Sequence, residues 1–316
     1  MPTHSFSGAI TAIITPFTAD DAVDYNAFKR IVEAQKKAGI SGIIVSGTTG
    51  ESPTITSDEK LELVKVALDY QADDFKVFVG TGTNNTNATI EASKFYADFK
   101  DDKGRGVNGL LIVVPYYNKP NQDSMFAHFN AVAKAVPNTE VCVYNVPGRT
   151  VASLSPETFL YIAQENENIT AIKDAVGDVC ETTKIRNLLN EHLPTRNVQI
   201  LSGDDMTFAP ALLCGADGVI SVASHITPEV FVRMIKAKKE NDLATIGELH
   251  QKSLSFFQSL FLAPNPVPLK HLLAHMGYCE SHVRLPLIPL NNESNLPKDL
   301  IRGLEHIKAL EVPTIP

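Results

Sequence analysis

The sequence predicts an α/β protein: a (β/α)8 TIM barrel with a small C-terminal helical domain. Three observations carry this reading. Eight short apolar runs alternate with stretches of helical spacing from the N-terminus to about residue 240. Several of these runs are nearly continuous in apolar residues, as buried parallel strands are, rather than alternating. From about Asn241 onward the strand pattern stops and only helical spacing remains. Residues 1–240 are therefore assigned to the barrel and residues 241–316 to a helical appendage and tail. No GxGxxG follows the first strand, which argues against a dinucleotide-binding fold.

The first strand is GAITAIITPF, residues 8–17, closed by Thr15-Pro16. Helical spacing follows at Phe28, Ile31, Val32 and Ala38 and is stopped by Gly39. The second strand, SGIIVS, runs into Gly47-Thr48-Thr49-Gly50-Glu51. Thr56 and Glu59 form a capping box for the next helix, with Leu61, Val64 and Leu68 expected on its core face. KVFVGT, NGLLIVV and TEVCVYN are the third, fourth and fifth strands. Ser155-Pro156-Glu157 starts a helix, with proline at the first helical position.

The sixth strand, Ile169-Thr170-Ala171-Ile172-Lys173-Asp174, is a β-branched apolar run that ends in a lysine. VQILS and GVISV complete the eight, and Thr227-Pro228-Glu229 starts the helix after them. Beyond, helical spacing spans residues 243–262, 268–276 and 298–310. The prolines of APNPVP (263–268) forbid one continuous helix through the first two of these stretches.

Composition narrows the function. A formal net charge of -8 and a sequence pI of about 5.6 leave no basic footprint for nucleic acid. No apolar run approaches the roughly 18 residues of a membrane span. Met1-Pro2-Thr3-His4 lacks the basic and apolar regions of a signal peptide, so a cytoplasmic location is expected. Cys142, Cys180, Cys214 and Cys279 show neither CxxC nor zinc spacing, and reduced, buried thiols are expected.

Barrel enzymes place their chemistry just past the C-terminal ends of the strands. The residues there are Thr48, Thr49, Tyr116, Tyr117, Tyr144, Asn145, Arg149, Lys173, Gly203, Asp204, Ile220 and Ser221. One amine, several hydroxyls and one guanidinium suit imine chemistry: a nucleophile, proton carriers and a carboxylate clamp. The set lacks the His/Asp/Glu cluster of a catalytic metal. Each residue alone has a plainer explanation. Lys173 could carry its head to solvent, and Tyr144 could be a buried strand tyrosine. Tyr116-Tyr117 could be a packing corner, Arg149 a surface ion-pair partner, and Asp204-Asp205 a helix cap. Only their joint placement favours chemistry.

Seven motifs taken together resemble one family. They are Gly47-Thr48-Thr49-Gly50-Glu51, Pro115-Tyr116-Tyr117-Asn118-Lys119-Pro120, Tyr144-Asn145-Val146-Pro147-Gly148-Arg149-Thr150, Ile172-Lys173-Asp174, Ser202-Gly203-Asp204-Asp205, Gly218-Val219-Ile220-Ser221-Val222 and Asn265-Pro266. In order, from about Gly8 to Leu290, they look like the pyruvate-dependent class I aldolases, the N-acetylneuraminate lyase superfamily, and within it the dihydrodipicolinate synthase family.

The resemblance implies that Lys173 forms a Schiff base with pyruvate and that the enamine attacks L-aspartate-4-semialdehyde. The product expected is 4-hydroxy-tetrahydrodipicolinate, on the diaminopimelate route to L-lysine. It implies Tyr144 as the proton-transferring hydroxyl, with Thr49 and Tyr117 completing a relay and Tyr117 supplied by a neighbouring subunit. Arg149 would hold the semialdehyde carboxylate and Thr48 and Thr49 that of pyruvate, while Gly203 and Ile220 shape the pocket. A homotetramer built as a dimer of dimers is implied, with no metal and no organic cofactor.

The chain departs from lysine-inhibited relatives. Ser57 and Lys60 stand where histidines are frequent, and Ala88 stands where a glutamate holds the effector's amine; Ser52, Asn84 and Tyr116 match. Weak or absent inhibition by L-lysine is expected. Thr48 and Arg149 argue against N-acetylneuraminate lyase, which usually reads GSTGE and lacks the arginine; an oxo-sugar-acid aldolase is a weaker alternative of the same kind. Because Lys173, Thr49, Tyr117 and Tyr144 are all present, a catalytically idle pyruvate-binding barrel is disfavoured.

Overall fold

The computed structural model describes residues 5–291 and 295–316; the N-terminal Met1–His4 stretch lies outside them. Eight strands close into a parallel barrel in sequence order. They are β1 (Ala9–Ala12), β2 (Gly42–Val45), β3 (Lys76–Gly80), β4 (Gly109–Val113), β5 (Glu140–Asn145), β6 (Ile169–Asp174), β7 (Gln199–Ser202) and β8 (Gly218–Ser221). β1 is shorter than the sequence reading. Ile13 N still donates to Ile44 O, but Pro16 has no N–H with which to extend the ladder.

The helices are α1 (Tyr25–Lys37), α2 (Ser57–Leu68), α3 (Thr86–Asp98), α4 (Gln122–Ala135), α5 (Pro147–Thr150), α6 (Pro156–Glu165), α7 (Val179–His192), α8 (Phe208–Leu213), α9 (Pro228–Lys239), α10 (Leu243–Ser259), α11 (Val267–His275) and α12 (Leu296–Ala309). Polar N-caps start most of the long ones. Asp24, Asn85, Asn121, Ser155, Asp178 and Asp242 each accept a backbone N–H of the first turn, and Thr56 and Glu59 form the expected capping box. The buried face of α2 is Leu63, Val64, Ala67 and Leu68, and Leu61 is only half-buried. At about 100° per residue, Leu61 lies roughly 90° round the helix from the centre of that face.

The chain packs as two compact units. The first contains residues 5–8 and Lys76–Ile220, with strands β3 to β7 and all of β8 but Ser221. Here β4, β5, β6 and β7 pair in parallel, and every residue of β6 is buried. The second contains Ala9–Phe75 and Ser221–Pro316. In it β1 pairs with β2, α10 packs on α9 and α12, and α11 packs on α12.

Of the four cysteines, all free thiols, Cys142 is buried as expected, but Cys180 and Cys214 are exposed. Cys180 sits in the polar first turn of α7 and Cys214 ends α8, both turned outward, and Cys279 is half-buried.

Candidate active site

In the first unit the site is built on β5 and β6. Tyr144 and Lys173 are register partners, so their side chains leave the sheet on the same side. Lys173 is 5% and Tyr144 6% exposed, and Lys173 Nζ lies 4.2 Å from the Tyr144 ring centroid. An ammonium over an aromatic face gains the ring's quadrupole field while remaining out of water. Gly203, just past β7, leaves room for the lysine stem: a Cβ there would stand 3.0 Å from Lys173 Cε and 2.7 Å from Ala175 Cβ. Ile220 is buried on β8. Asp174, the next residue along β6, is buried on the opposite side. Burial pushes its carboxyl up to about 6, reinforced by Glu181 and Asp178 and opposed by the Val176 N–H.

The β5–α6 segment is pinned by paired hydrogen bonds. Asn145 Nδ2 donates to Leu154 O, its Oδ1 accepts from Leu154 N, and Thr150 Oγ1 donates to Val146 O and Ala152 O. This clamp fixes α5, on which Arg149 is exposed. Tyr116 and Tyr117, after β4, are exposed as well; Tyr117 is 85% exposed and held at a φ of 78°. A tyrosine in the left-handed region is strained, and such strain collects at functional loops. Lys173, Tyr144 and Gly203 are thus gathered in this unit, whereas Arg149 and Tyr117 stand at its surface. Asp204 does not cap a helix: its carboxylate accepts from Met206 N and Thr207 Oγ1 within the turn after β7, and Thr207, with no side-chain cap bond, is the N-cap of α8.

In the second unit the loop after β2 folds tightly. Gly50 N donates to Gly47 O, Glu51 N to Thr48 O and Ser52 N to Gly47 O. Ser46 and Glu51 bracket it in the left-handed region, and Thr15 Oγ1 donates to Gly50 O. A Cβ at Gly50 would come 3.0 Å from Ile13 O, so this close approach calls for glycine. Thr48 is half-buried; Thr49 is buried and accepts a 2.9 Å hydrogen bond from Asn265 Nδ2.

Glu51 is fully committed. Its Oε1 accepts from the buried Lys270 Nζ and its Oε2 from Arg284 N, while Lys270 also donates to His282 O. Lys270 Nζ and the Arg284 guanidinium each lie 4.2 Å from the Phe17 ring centroid. Burial lowers the Lys270 ammonium's pKa and the Glu51 carboxylate opposes the shift. Nearby, His225 is neutral: Nδ1 donates to Val222 O, Nε2 accepts from Ile14 N, and burial brings its pKa down to about 4.

Sequence reasoning quoted the Asn265-Pro266 pair without giving Asn265 a partner, and it missed Lys270 and Arg284. The available signal was Lys270 itself, a charge within the apolar run Val267-Pro268-Leu269-Lys270-His271-Leu272-Leu273.

A parallel barrel whose sixth strand carries a buried lysine beside a tyrosine falls in the class of lysine-dependent, imine-forming barrel enzymes. Residues 5–301 match the dihydrodipicolinate synthetase family model. The 4-hydroxy-tetrahydrodipicolinate synthase of Salinibacter ruber is 41% identical over 96% of this chain and 96% of its own length. The enzyme of that name from Bacillus subtilis is 40% identical over 92% of this chain and 97% of its own. Among solved structures, dihydrodipicolinate synthase from Thermotoga maritima superposes with a TM-score of 0.88 at 34% identity, covering 96% of this chain and 100% of the other. The Cyanidioschyzon merolae protein, solved with lysine bound, gives 0.89 at 34% identity, covering 97% and 99%. A monomeric dihydrodipicolinate synthase variant also gives 0.89 at 34% identity, covering 96% and 97%. This chain belongs to the dihydrodipicolinate synthetase family.

Proposed function

We propose that this chain is a Schiff-base lyase that condenses pyruvate with L-aspartate-4-semialdehyde to 4-hydroxy-tetrahydrodipicolinate, on the diaminopimelate route to L-lysine. The observation that carries the reading is the buried Lys173 amine over the Tyr144 ring, in a chain of this family.

Lys173 Nζ adds to the pyruvate ketone, and loss of water leaves an imine. The imine withdraws electrons, a methyl proton leaves, and the resulting enamine attacks the aldehyde carbon of the second substrate. The semialdehyde's amine then displaces Lys173 and closes the ring. Tyr144 moves protons beside the imine. Thr49 and Tyr117 complete the relay, Tyr117 being contributed by a neighbouring subunit. Thr48 and Thr49 hold the pyruvate carboxylate, Gly203 and Ile220 shape its pocket through backbone groups, and Arg149 receives the semialdehyde carboxylate. The lysine imine supplies the electron sink, so the chemistry runs without a metal or organic cofactor.

Residues 1–240 supply the catalytic barrel and 241–316 the helical appendage, and the active form is a homotetramer, a dimer of dimers. A cytoplasmic location accords with the absence, among the described residues, of any helix long and apolar enough to cross a membrane.

The test is borohydride reduction with pyruvate, followed by peptide mapping, beside assays with the semialdehyde and with N-acetylneuraminate. One adduct at Lys173 and turnover of the semialdehyde are expected. An adduct that persists in Lys173→Ala, or turnover of N-acetylneuraminate alone, overturns the assignment. Lys173→Arg should be inactive, because a guanidinium stays protonated.

A further inference from the structure

The loop of residues 47–51 closes through the N–H groups of Gly50, Glu51 and Ser52, each bonded to Gly47 O or Thr48 O. The N–H groups of Thr48 and Thr49 are left over: among the described residues neither donates to a protein acceptor. Two successive free N–H groups at a tight turn are a ready site for an anion. The shape that exposes them is not a relaxed one. Glu51 closes the loop at a φ of 53°, a region glutamate rarely occupies.

Its side chain is anchored at both oxygens. Oε1 accepts from Lys270 Nζ and Oε2 from Arg284 N at 3.1 Å, and the Arg284 guanidinium donates to Thr54 O. Lys270, on α11, is 0% exposed and uses its whole ammonium there. It meets Glu51, His282 O at 2.9 Å, and the Phe17 ring, whose centroid is 4.2 Å away. Stability alone does not call for such a pair, because apolar groups of similar volume are often as stable or more so. What the pair adds is a fixed direction for the Glu51 side chain.

We propose that Lys270 is a positioning residue: through the Glu51 carboxylate it holds residues 47–51 in the shape that offers Thr48 and Thr49 to the pyruvate carboxylate. This rests on the reaction proposed above, in which those threonines receive pyruvate. Lys270, enclosed as it is, acts only through Glu51.

The test uses the full chain with Lys270→Met, and with Glu51→Gln and Lys270→Met together. The single variant leaves a buried carboxylate without its cation and is the one at risk of misfolding; the double variant carries neither charge. Hydrogen exchange of the peptide covering residues 46–56 is followed by mass spectrometry, beside kcat and KM for pyruvate and borohydride trapping. In both variants that peptide should exchange roughly tenfold faster or more while peptides of α1 keep their rates, the sign of a local opening. KM for pyruvate should rise roughly tenfold to a hundredfold, the range for a lost charge-assisted contact. At saturating pyruvate kcat should stay within about threefold, because binding rather than chemistry is weakened. Trapping at Lys173 should persist at high pyruvate. Thr49→Val alone is the reference and should raise KM for pyruvate as well.

An unchanged KM in the folded double variant overturns the proposal when Thr49→Val raises it. If Thr49→Val leaves KM unchanged too, pyruvate does not use this loop and the proposal falls with that contact. Equal acceleration of exchange in α1 also overturns it, since Lys270 would then serve stability alone. If Lys270→Met fails to fold, the double variant decides by the same criteria. A pyruvate adduct missing from the unaltered chain refutes the reaction instead, and loop exchange then still reports whether Lys270 holds the loop.

Discussion

Tyr144 and Lys173 are paired across the β5–β6 register, and the lysine Nζ stands 4.2 Å from the tyrosine ring centroid. Two neighbouring parallel strands thus deliver an amine and an aromatic ring to one place with no loop between them. Strand-borne groups hold their geometry better than loop-borne ones. The imine formation proposed for Lys173 would thus take place on regular strand rather than on a loop.

Gly203 sets the room available to that lysine. A Cβ there would crowd Ala175 Cβ at 2.7 Å and Lys173 Cε at 3.0 Å. Relieving such overpacking costs about 1–3 kcal/mol. Gly203→Ala should fold but lose about tenfold or more in kcat/KM for pyruvate, a loss of about 1.4 kcal/mol or more in transition-state binding. Unaltered kinetics in a folded variant would show that the lysine does not need this gap.

Arg149, exposed on the pinned α5, should discriminate the second substrate. Losing a charge-assisted contact costs ~1.5–3 kcal/mol, or roughly tenfold to more than a hundredfold in kcat/KM. Arg149→Ala should still trap pyruvate at Lys173 while using the semialdehyde poorly. Loss of trapping in the folded variant would assign the arginine to pyruvate instead.

Tyr117 is 85% exposed in the single chain, which fits a side chain that completes a neighbour's relay. Mixing Tyr117→Phe chains with Lys173→Ala chains should restore activity, because some sites then carry both native residues. Verified mixed oligomers without recovered activity would mean that each subunit completes its own site.

Asp174 predicts a pH signature in stability. In the folded chain its carboxyl holds a proton up to about pH 6, whereas the unfolded carboxyl, ordinarily near 3.8, has already lost it. Between those values the folded state binds more protons, so stability falls as pH rises through that window and the deficit persists above it. Asp174→Asn should therefore gain about 1–3 kcal/mol at pH 8 and little at pH 4. Urea unfolding at the two pH values checks this; equal gains at both would refute it.

L-Lysine should inhibit weakly at pH 7. At the positions the family resemblance assigns to an effector, Ala88 offers no carboxylate and Lys60 carries an ammonium. Two cations about 4–6 Å apart near a surface repel by ~3–4 kcal/mol at an effective dielectric of 20. A third of that weakens binding roughly tenfold. Burial lowers the Lys60 pKa to about 8, so raising the pH to 9 removes most of its charge and should strengthen inhibition. Ala88→Glu should strengthen it at both pH values. Half-inhibition at sub-millimolar lysine and pH 7 would refute the expectation.

What could be read from sequence followed from periodicity and local chemistry. The existence and order of the strands, the Thr56 capping box, the Ser155-Pro156 helix start and the Lys173 strand all depend on neighbours a few residues away. The residues that escaped have partners far along the chain: Thr49 meets Asn265 across 216 positions and Glu51 meets Lys270 across 219. No local spacing encodes such pairs. Leu61 was misplaced for a different reason, since one helical period fits two adjacent faces and only packing chooses between them. Cys214 shows the same ambiguity, following the apolar Ala211-Leu212-Leu213 yet turned outward.

The long reach of the Thr49–Asn265 and Glu51–Lys270 contacts has a consequence for synthesis. At about 5–20 residues per second, roughly 10–40 s separate translation of the threonine from that of its asparagine. Until then Glu51 also lacks the lysine that neutralises it. The early-made loop must wait on the ribosome for helix α11, and a chain released before that point carries Lys173 without the partners that hold Thr49 and Glu51.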